Sequence, residues 1–234
     1  FITMRKGQNM DKQILSVLEK SPLFENISGN EISSITVCLS ASTKQYQKNE
    51  QILHEGDSVE KIDIVLSGAV NIIKSDYWGN KNIVENVIPP GIFALSYACA
   101  KNFPPEITAE AAQNTNILFI NAKKLLTTCS SACSFHSKLI ANLVQLLASK
   151  NIMLNQKISI LSQRTTREKI MDYLSHQALK QKSEKFTIPF DRQQLADYLS
   201  VDRSALSSEL SKMRNEHIIE FTKNHFTMIQ HTTF

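Results

Sequence analysis

Between Ile140 and Leu161 the apolar positions recur every three and four residues. Ile140, Val144, Leu147, Asn151, Leu154, Ile158 and Leu161 fall on alternating d and a positions of a heptad. Branched residues at a, Leu at d and a single Asn at a favour two parallel strands in fixed register. A second row (Leu139, Leu143, Leu146, Met153, Ile160) runs beside the first, so the stripe is broader than a simple zipper seam. One row is free to face a twin helix while the other packs on the chain's own domain. The competing reading is a buried helix of a monomer. Asn151 counts against it, because a core amide needs some other partner.

Upstream, Ile14, Leu15 and Leu18 share a helical face that Pro22 ends. Ser28 and Glu31 stand at capping-box spacing before a second short helix. From about Thr43 to Ile120 the pattern changes to short extended runs: 51–53, 62–66, 70–73, 83–88 and 117–120. Turn residues such as Gly56, Gly68 and Pro89-Pro90-Gly91 divide them. Such spacing predicts an antiparallel barrel or sandwich.

Downstream, Thr165 and Glu168 form a second capping box, which predicts a bend at 162–164 and a fresh helix to about Lys180. Ile170, Tyr173, Leu174 and Ala178 point inward on it, and 186–188 reads as a short strand. Asp191 and Gln194 cap a helix carrying Leu195, Ala196 and Leu199. Ser200-Val201-Asp202 turns the chain, and Asp202 is placed to cap a second helix with Leu206, Leu210 and Met213 inward. Small Ala196 opposite Leu206 permits a close, steep crossing, the helix-turn-helix arrangement. Arg203, Ser204, Ser207 and Ser208 share the outer face at the second helix's start, where side chains reach base edges in the major groove. Arg203 is the one long donor there for guanine O6 and N7. Arg192, Gln193, Lys212 and Arg214 suit phosphate contacts, as do Lys223 and Asn224 at the tip of a closing hairpin.

Ser21-Pro22-Leu23-Phe24, Ile52 to Asp57 and Ile64 to Gly68 resemble the sensor domain of the Crp–Fnr transcription regulators, and Asp191 to Met213 resembles their winged helix. The likeness spans nearly the whole chain. It implies an α+β chain: an N-terminal double-stranded β-helix (jelly-roll) sensor domain of the cyclic-nucleotide-binding type over 1–134, a long coiled-coil dimerisation helix over 135–161, and a C-terminal winged helix-turn-helix domain over 162–234. Asn49 stands where an early-turn glycine is usual, tolerable because Asn reaches positive φ. Ser200 stands at a turn position usually held by Gly, Glu209 where an apolar residue is usual, and Ser204 and Ser208 where the best-known readers have Glu and Arg. A borrowed half-site sequence is therefore excluded.

Members that bind cyclic nucleotides carry a Gly-Glu pair and then Arg-Ser against the phosphate. Here those positions read Phe93 to Ser96 and Ile107 to Ala109. Without the arginine a buried phosphate lacks its countercharge, so cAMP is set aside and no cofactor is expected. An iron–sulfur sensor lacks its N-terminal cysteines, and a haem sensor lacks a roll histidine beside Cys99. Cys129, Cys133 and His136 make only a thin metal set, though the two thiols leave a redox-responsive regulator open. Phe93, Leu95, Tyr97, Cys99 and Phe103, facing Ile152 and Met153 by resemblance, would suit a small apolar or aromatic effector. A filled core with no ligand is the alternative.

Composition changes this picture little. The 234 residues are 42% hydrophobic and 21% charged, with a net charge of +4. From Ser162 onward there are eleven Lys and Arg against nine Asp and Glu, so any basic surface comes from arrangement. Four cysteines suit a reducing cytoplasm, no apolar run would span a bilayer, and a chain opening on Phe1 suggests a trimmed end without a signal peptide. A cupin-like metalloenzyme would need histidines in the roll, where His54 stands alone before Thr128. The sequence therefore reads as a cytoplasmic homodimeric transcription regulator on near-palindromic double-stranded DNA, with RNA polymerase a partner by family resemblance. An effector-independent DNA-binding dimer is the other reading.

Overall fold

The computed structural model describes residues 2–3, 11–78, 81–100, 102–127 and 134–229. They divide into two compact units, 1–148 and 149–234.

The first unit begins with α1 (Lys12–Leu18), a short 3-10 turn (Pro22–Phe24) and α2 (Gly29–Cys38). Asp11 caps α1 through Gln13 N–H, and the Ser28 N–H donates to Glu31 as the box predicts. Strands follow: β1 (Ile2–Thr3) from the N-terminus, then β2 (Ser42–Tyr46), β3 (Gln51–Leu53), β4 (Lys61–Ser67), β5 (Val70–Ser75), β6 (Lys81–Val87), β7 (Ile92–Phe93), β8 (Thr108–Ala111) and β9 (Thr115–Asn121). They form a five-stranded sheet ordered β1-β2-β9-β4-β7 and a four-stranded sheet ordered β3-β8-β5-β6, all antiparallel. This is the expected jelly roll. Its turns need left-handed backbone at Asn49 (φ 68) and Gly68 (φ 86). At Gly68 a Cβ would lie 2.5 Å from the Asn114 carbonyl oxygen, so only glycine fits.

Strand β4 carries the logic of the roll. Ile62, Ile64 and Leu66 point into a core beneath the helices, with Leu18, Phe24, Ile32, Leu118 and Ile120. Val65 points the other way, into an inter-sheet core with Tyr46, Phe93, Ile117 and Phe119. Asp63 shares the face of Val65 by the two-residue period of a strand. Both faces of β4 are therefore buried, which is why its sequence runs nearly continuously apolar.

Two short helices, α3 (Leu95–Cys99) and α4 (Ala122–Leu126), precede α5 (Ser134–Ser162). Within the first unit Leu139 and Leu143 of α5 are buried in the helix-side core, and Asn142 donates to the carbonyls of Leu23 and Glu25 at 3.1 and 2.8 Å. In the second unit Ile160 joins a different core. The long helix is thus not a segment apart. Its first half is built into one unit and its second half into the other, which divide at 148–149, and α5 itself ends at Ser162.

The second unit continues with α6 (Thr166–Gln181), β10 (Lys185–Thr187), α7 (Arg192–Leu199), α8 (Arg203–Asn215), β11 (Ile219–Thr222) and β12 (His225–Met228). The strands form a sheet ordered β10-β12-β11. Ile170, Tyr173 and Leu174 of α6, Leu195, Ala196 and Leu199 of α7, and Leu206, Leu210 and Met213 of α8 fill one core, with Ala178 packed at its edge.

Candidate nucleic-acid interface

The turn between α7 and α8 rests on local chemistry. Asp191 and Gln194 exchange capping hydrogen bonds at 2.8 and 2.9 Å, fixing the start of α7. Ser200 ends it in left-handed backbone (φ 51, ψ 58), the conformation for which glycine is the usual choice. Lys169 Nζ donates to the Leu199 carbonyl at 3.2 Å, and Lys157 Nζ, on α5, donates to the Tyr198 carbonyl while lying 3.4 Å from the Tyr198 ring centroid. Burial pulls the Lys157 pKa down from its ordinary value. Two lysines therefore complete the carbonyl end of α7, where its unpaired carbonyls are exposed to cations. Asp202 stands at the N-cap of α8, but its side chain makes no capping bond, a departure from the expected cap.

On α8, Arg203, Ser204, Ser207 and Ser208 are all exposed on the face away from Leu206, Leu210 and Met213. Arg203 lines a concavity of about 810 Å³ together with Arg192, Gln193, Lys223 and Asn224. The start of α7, the start of α8 and the β11–β12 turn so converge on one groove. Lys223 sits at the tip of that turn with φ 54 and its side chain exposed.

Five of the expected phosphate ligands also make structural contacts. Asn224 donates its amide to the Ile188 carbonyl at 3.0 Å while its own carbonyl accepts from Ile188 N–H at 3.0 Å, so it pins the wing to the strand before α7. Arg192 is half-buried over the Phe221 ring (5.0 Å), and burial lowers its pKa. Arg214 lies over the same ring at 5.1 Å. Gln193 donates to Asp197 at 2.8 Å. Lys212 lies 3.7 Å from Glu209, which with Glu216 receives Arg167 of α6, and this network ties α6 to α8. Sequence reasoning missed the lysines at the end of α7, because their partners are backbone carbonyls that no spacing announces.

Within the first unit the residues of the expected effector pocket do not share one core. Phe93 belongs to the inter-sheet core, whereas Leu95 and Cys99, one helical turn apart on α3, face the helix-side core. Phe103 is 69% exposed, Tyr97 is half-buried, and Ile152 and Met153 are exposed on the part of α5 that belongs to the second unit. The short helix α3, entered through left-handed Ala94 (φ 55), is what splits the set. Burial pushes the Cys99 thiol up, away from the reactive thiolate. Cys129 and Cys133 lie outside the described residues, and His136 Nε2 is 2.9 Å from the Leu125 carbonyl oxygen. Among the described residues no three His, Cys, Asp or Glu gather as metal ligands, and no helix is long and apolar enough to cross a membrane.

Family comparison agrees with this geometry. The family model for the cyclic nucleotide-binding domain matches residues 43–132, and that for the Crp-like helix-turn-helix domain matches residues 168–232. The chain belongs to the Crp–Fnr superfamily. This Crp–Fnr protein is a DNA-binding transcription regulator with a sensor domain of the cyclic-nucleotide-binding fold, and its family is one of regulators rather than enzymes. The catabolite activator protein of Thermus thermophilus has the same fold, with TM-score 0.52 and 20% identity over 89% of this chain and 93% of that one. DNR of Pseudomonas aeruginosa gives 0.50 and 18% over 96% and 97%. CprK complexed with OCPA gives 0.59 and 12% over 81% and 86%. At these identities the likeness concerns the fold. No curated protein matches the chain.

Proposed function

We propose that the regulator works as a homodimer, with two copies of α8 reading a near-palindromic operator whose half-sites are centred about 34 Å apart, one turn of B-DNA. Arg203 reads base edges with Ser204, Ser207 and Ser208 beside it, while Lys223, Gln193 and Lys212 meet phosphates. The observation that carries the reading is the single groove onto which Arg203, Arg192 and Lys223 converge from three elements. Pairing follows the heptad row. Val144, Leu154 and Ile158 are 60%, 63% and 61% exposed in the single chain, and Asn151, also exposed, accepts from Asn155 at 2.8 Å. Ile140, Leu147 and Leu161 are partly covered. Three large apolar side chains in one exposed row support a second chain as their cover.

The roll responds to a small effector other than cAMP. Where a phosphate-binding member has its Gly-Glu and Arg-Ser pairs, this chain has Phe93 to Ser96 and Ile107 to Ala109, without a charged side chain, and Phe93, Leu95 and Ala109 are buried. Effector binding shifts the balance between two arrangements of the paired chains by its differential affinity for them. A cytoplasmic setting and a contact with RNA polymerase complete the reading, both by family resemblance. Selection of bound duplexes with and without cell extract tests it: extract-dependent enrichment supports a switch, and equal enrichment supports an effector-independent dimer.

A further inference from the structure

Asp63 is the one buried carboxylate among the described residues, and its Oδ1 has no hydrogen-bond partner. Strand register sets it between Phe93 of β7 and Phe119 of β9, so a phenyl-bearing residue stands on each side. The Tyr46 ring lies 6.4 Å from the Phe119 ring. Facing them across the roll are Leu53, Val70, Ile72, Ala109 and Ala111, whose side chains donate nothing. A buried acceptor left in this state is destabilising, and in native proteins such groups are completed by an ordered water, an ion or a ligand. A carboxylate needs a countercharge as well, which the Ser21, Asn116 and Tyr173 oxygens do not.

Two features define what completes it. Oδ1 needs a donor, and a charged donor also supplies the countercharge that burial denies the carboxylate. Aromatic faces attract cations, and these rings do so already: Lys44 Nζ lies 4.1 Å from the Tyr46 centroid and Lys61 Nζ 5.5 Å from that of Phe119. An anion could take a hydrogen bond only from the protonated carboxyl and would find no countercharge on the facing side chains, whereas a cation pairs with the carboxylate itself. Resting on the reading that the roll is the sensing compartment, we propose that Asp63 anchors the effector, and that the effector is a small apolar or aromatic molecule bearing a protonated amine.

Few charged groups surround Asp63. Lys61, two residues along β4, favours its ionisation. Lys44 on β2 is 3.7 Å from Glu50, which ends the turn between β2 and β3. Tyr46 on β2 is held neutral, pushed up to about 12 by burial and by Asp63 and Glu50. The facing positions of β7 and β9, Phe93, Ile117 and Phe119, do not titrate. Burial pushes the Asp63 carboxyl up to about 8, so at neutral pH it carries its proton. An arriving ammonium forms an ion pair only with the carboxylate, so the carboxyl proton leaves to solvent as the ligand binds. Close to one proton is released for each amine taken up.

Calorimetry on the full chain tests this with benzylamine as probe and benzyl alcohol and benzoate as its neutral and anionic counterparts, in two buffers of different ionisation heat. Benzylamine is expected to bind about tenfold tighter at pH 7 than at pH 6, with proton release, because the carboxylate fraction rises about tenfold per unit below its pKa. The alcohol and benzoate should bind at least about tenfold more weakly. Asp63→Asn keeps the shape of the site but should weaken benzylamine about tenfold and abolish its pH dependence. Asp63→Leu, shown folded by its melting curve, should abolish binding. Benzoate binding as tightly as benzylamine, pH-independent affinity, undiminished binding to Asp63→Asn, or no heat from millimolar benzylamine would each overturn the proposal. A DNA titration of the same samples separates the two levels. An amine bound through Asp63 that leaves DNA affinity unchanged removes the sensing reading and leaves the Asp63 site standing.

Discussion

Leu154→Ala tests whether the exposed row of the long helix is a seam between chains. Leu154 occupies a d position and is 63% exposed in the single chain. Burying a leucine side chain completely is worth about 1.5–3 kcal/mol, so covering that exposed fraction contributes about 1–2 kcal/mol per chain. Both copies meet at the dyad, and the pair of substitutions removes about 2–4 kcal/mol of association. At about 1.4 kcal/mol per decade, the dimer dissociation constant rises roughly 30- to 1000-fold. Sedimentation equilibrium over a dilution series reads this directly. Leu143→Ala on the same helix is the control, since Leu143 is 1% exposed in the helix-side core. Truncation there costs about 2–5 kcal/mol of folding stability and should move dimer affinity far less. Dimer affinity unchanged by Leu154→Ala but weakened by Leu143→Ala would refute the assignment of the two rows.

Arg203→Ala should cost about 1–3 kcal/mol at one base position and relax selectivity there, measured by binding to single-substitution operators. Lys212→Ala should weaken all sequences alike and lower the salt slope by about one or less, since Lys212 also faces Glu209 at 3.7 Å. Asn224→Ala should lower stability by about 1 kcal/mol in urea denaturation, through its lost bond to Ile188, while the salt slope of DNA binding stays put. Asp63 makes stability pH-dependent with a definite sign. The folded carboxyl keeps its proton to about pH 8, whereas an unfolded aspartate releases it near pH 4. Its contribution is therefore full below about pH 4 and is lost as pH rises toward about 8, at up to about 1.4 kcal/mol per unit. Asp63→Asn should flatten that slope in denaturation curves taken between about pH 5 and 7.

Much of the fold is legible because its signals are local. The capping boxes at Thr165–Glu168 and Asp191–Gln194 form as spaced, and Asn49 and Ser200 take the left-handed backbone their positions demand. Along the long helix Leu139, Leu143 and Ile160 are buried while Val144, Leu154 and Ile158 are exposed, but Met153 of the inner row is 65% exposed and Leu146 and Leu147, one from each row, both pack at the edge of the helix-side core. What the pattern concealed depends on tertiary partners. Asp63 sits in an apolar run buried on both faces, so alternation gave no sign of the side it takes. Asn224 has the composition of a free hairpin tip, but its amide is committed to Ile188. Lys157 carries no sequence signal, yet it completes the end of α7. Phe93, Leu95, Tyr97, Cys99 and Phe103 share apolar or aromatic character and lie close in sequence, yet the single helical turn of α3 sends Phe93 and Leu95 to different cores.

The central claim is that two chains, joined along one helix, present two reading helices to one duplex. Selection of bound DNA from a random pool by the purified protein measures this most directly, with the effector source supplied by extract. Near-palindromes whose half-sites are centred one helical turn apart should be enriched, and the enrichment should be lost together at both half-sites when Arg203 is replaced by alanine. Enrichment of isolated single half-sites, or of no sequence at all with or without extract, would contradict it.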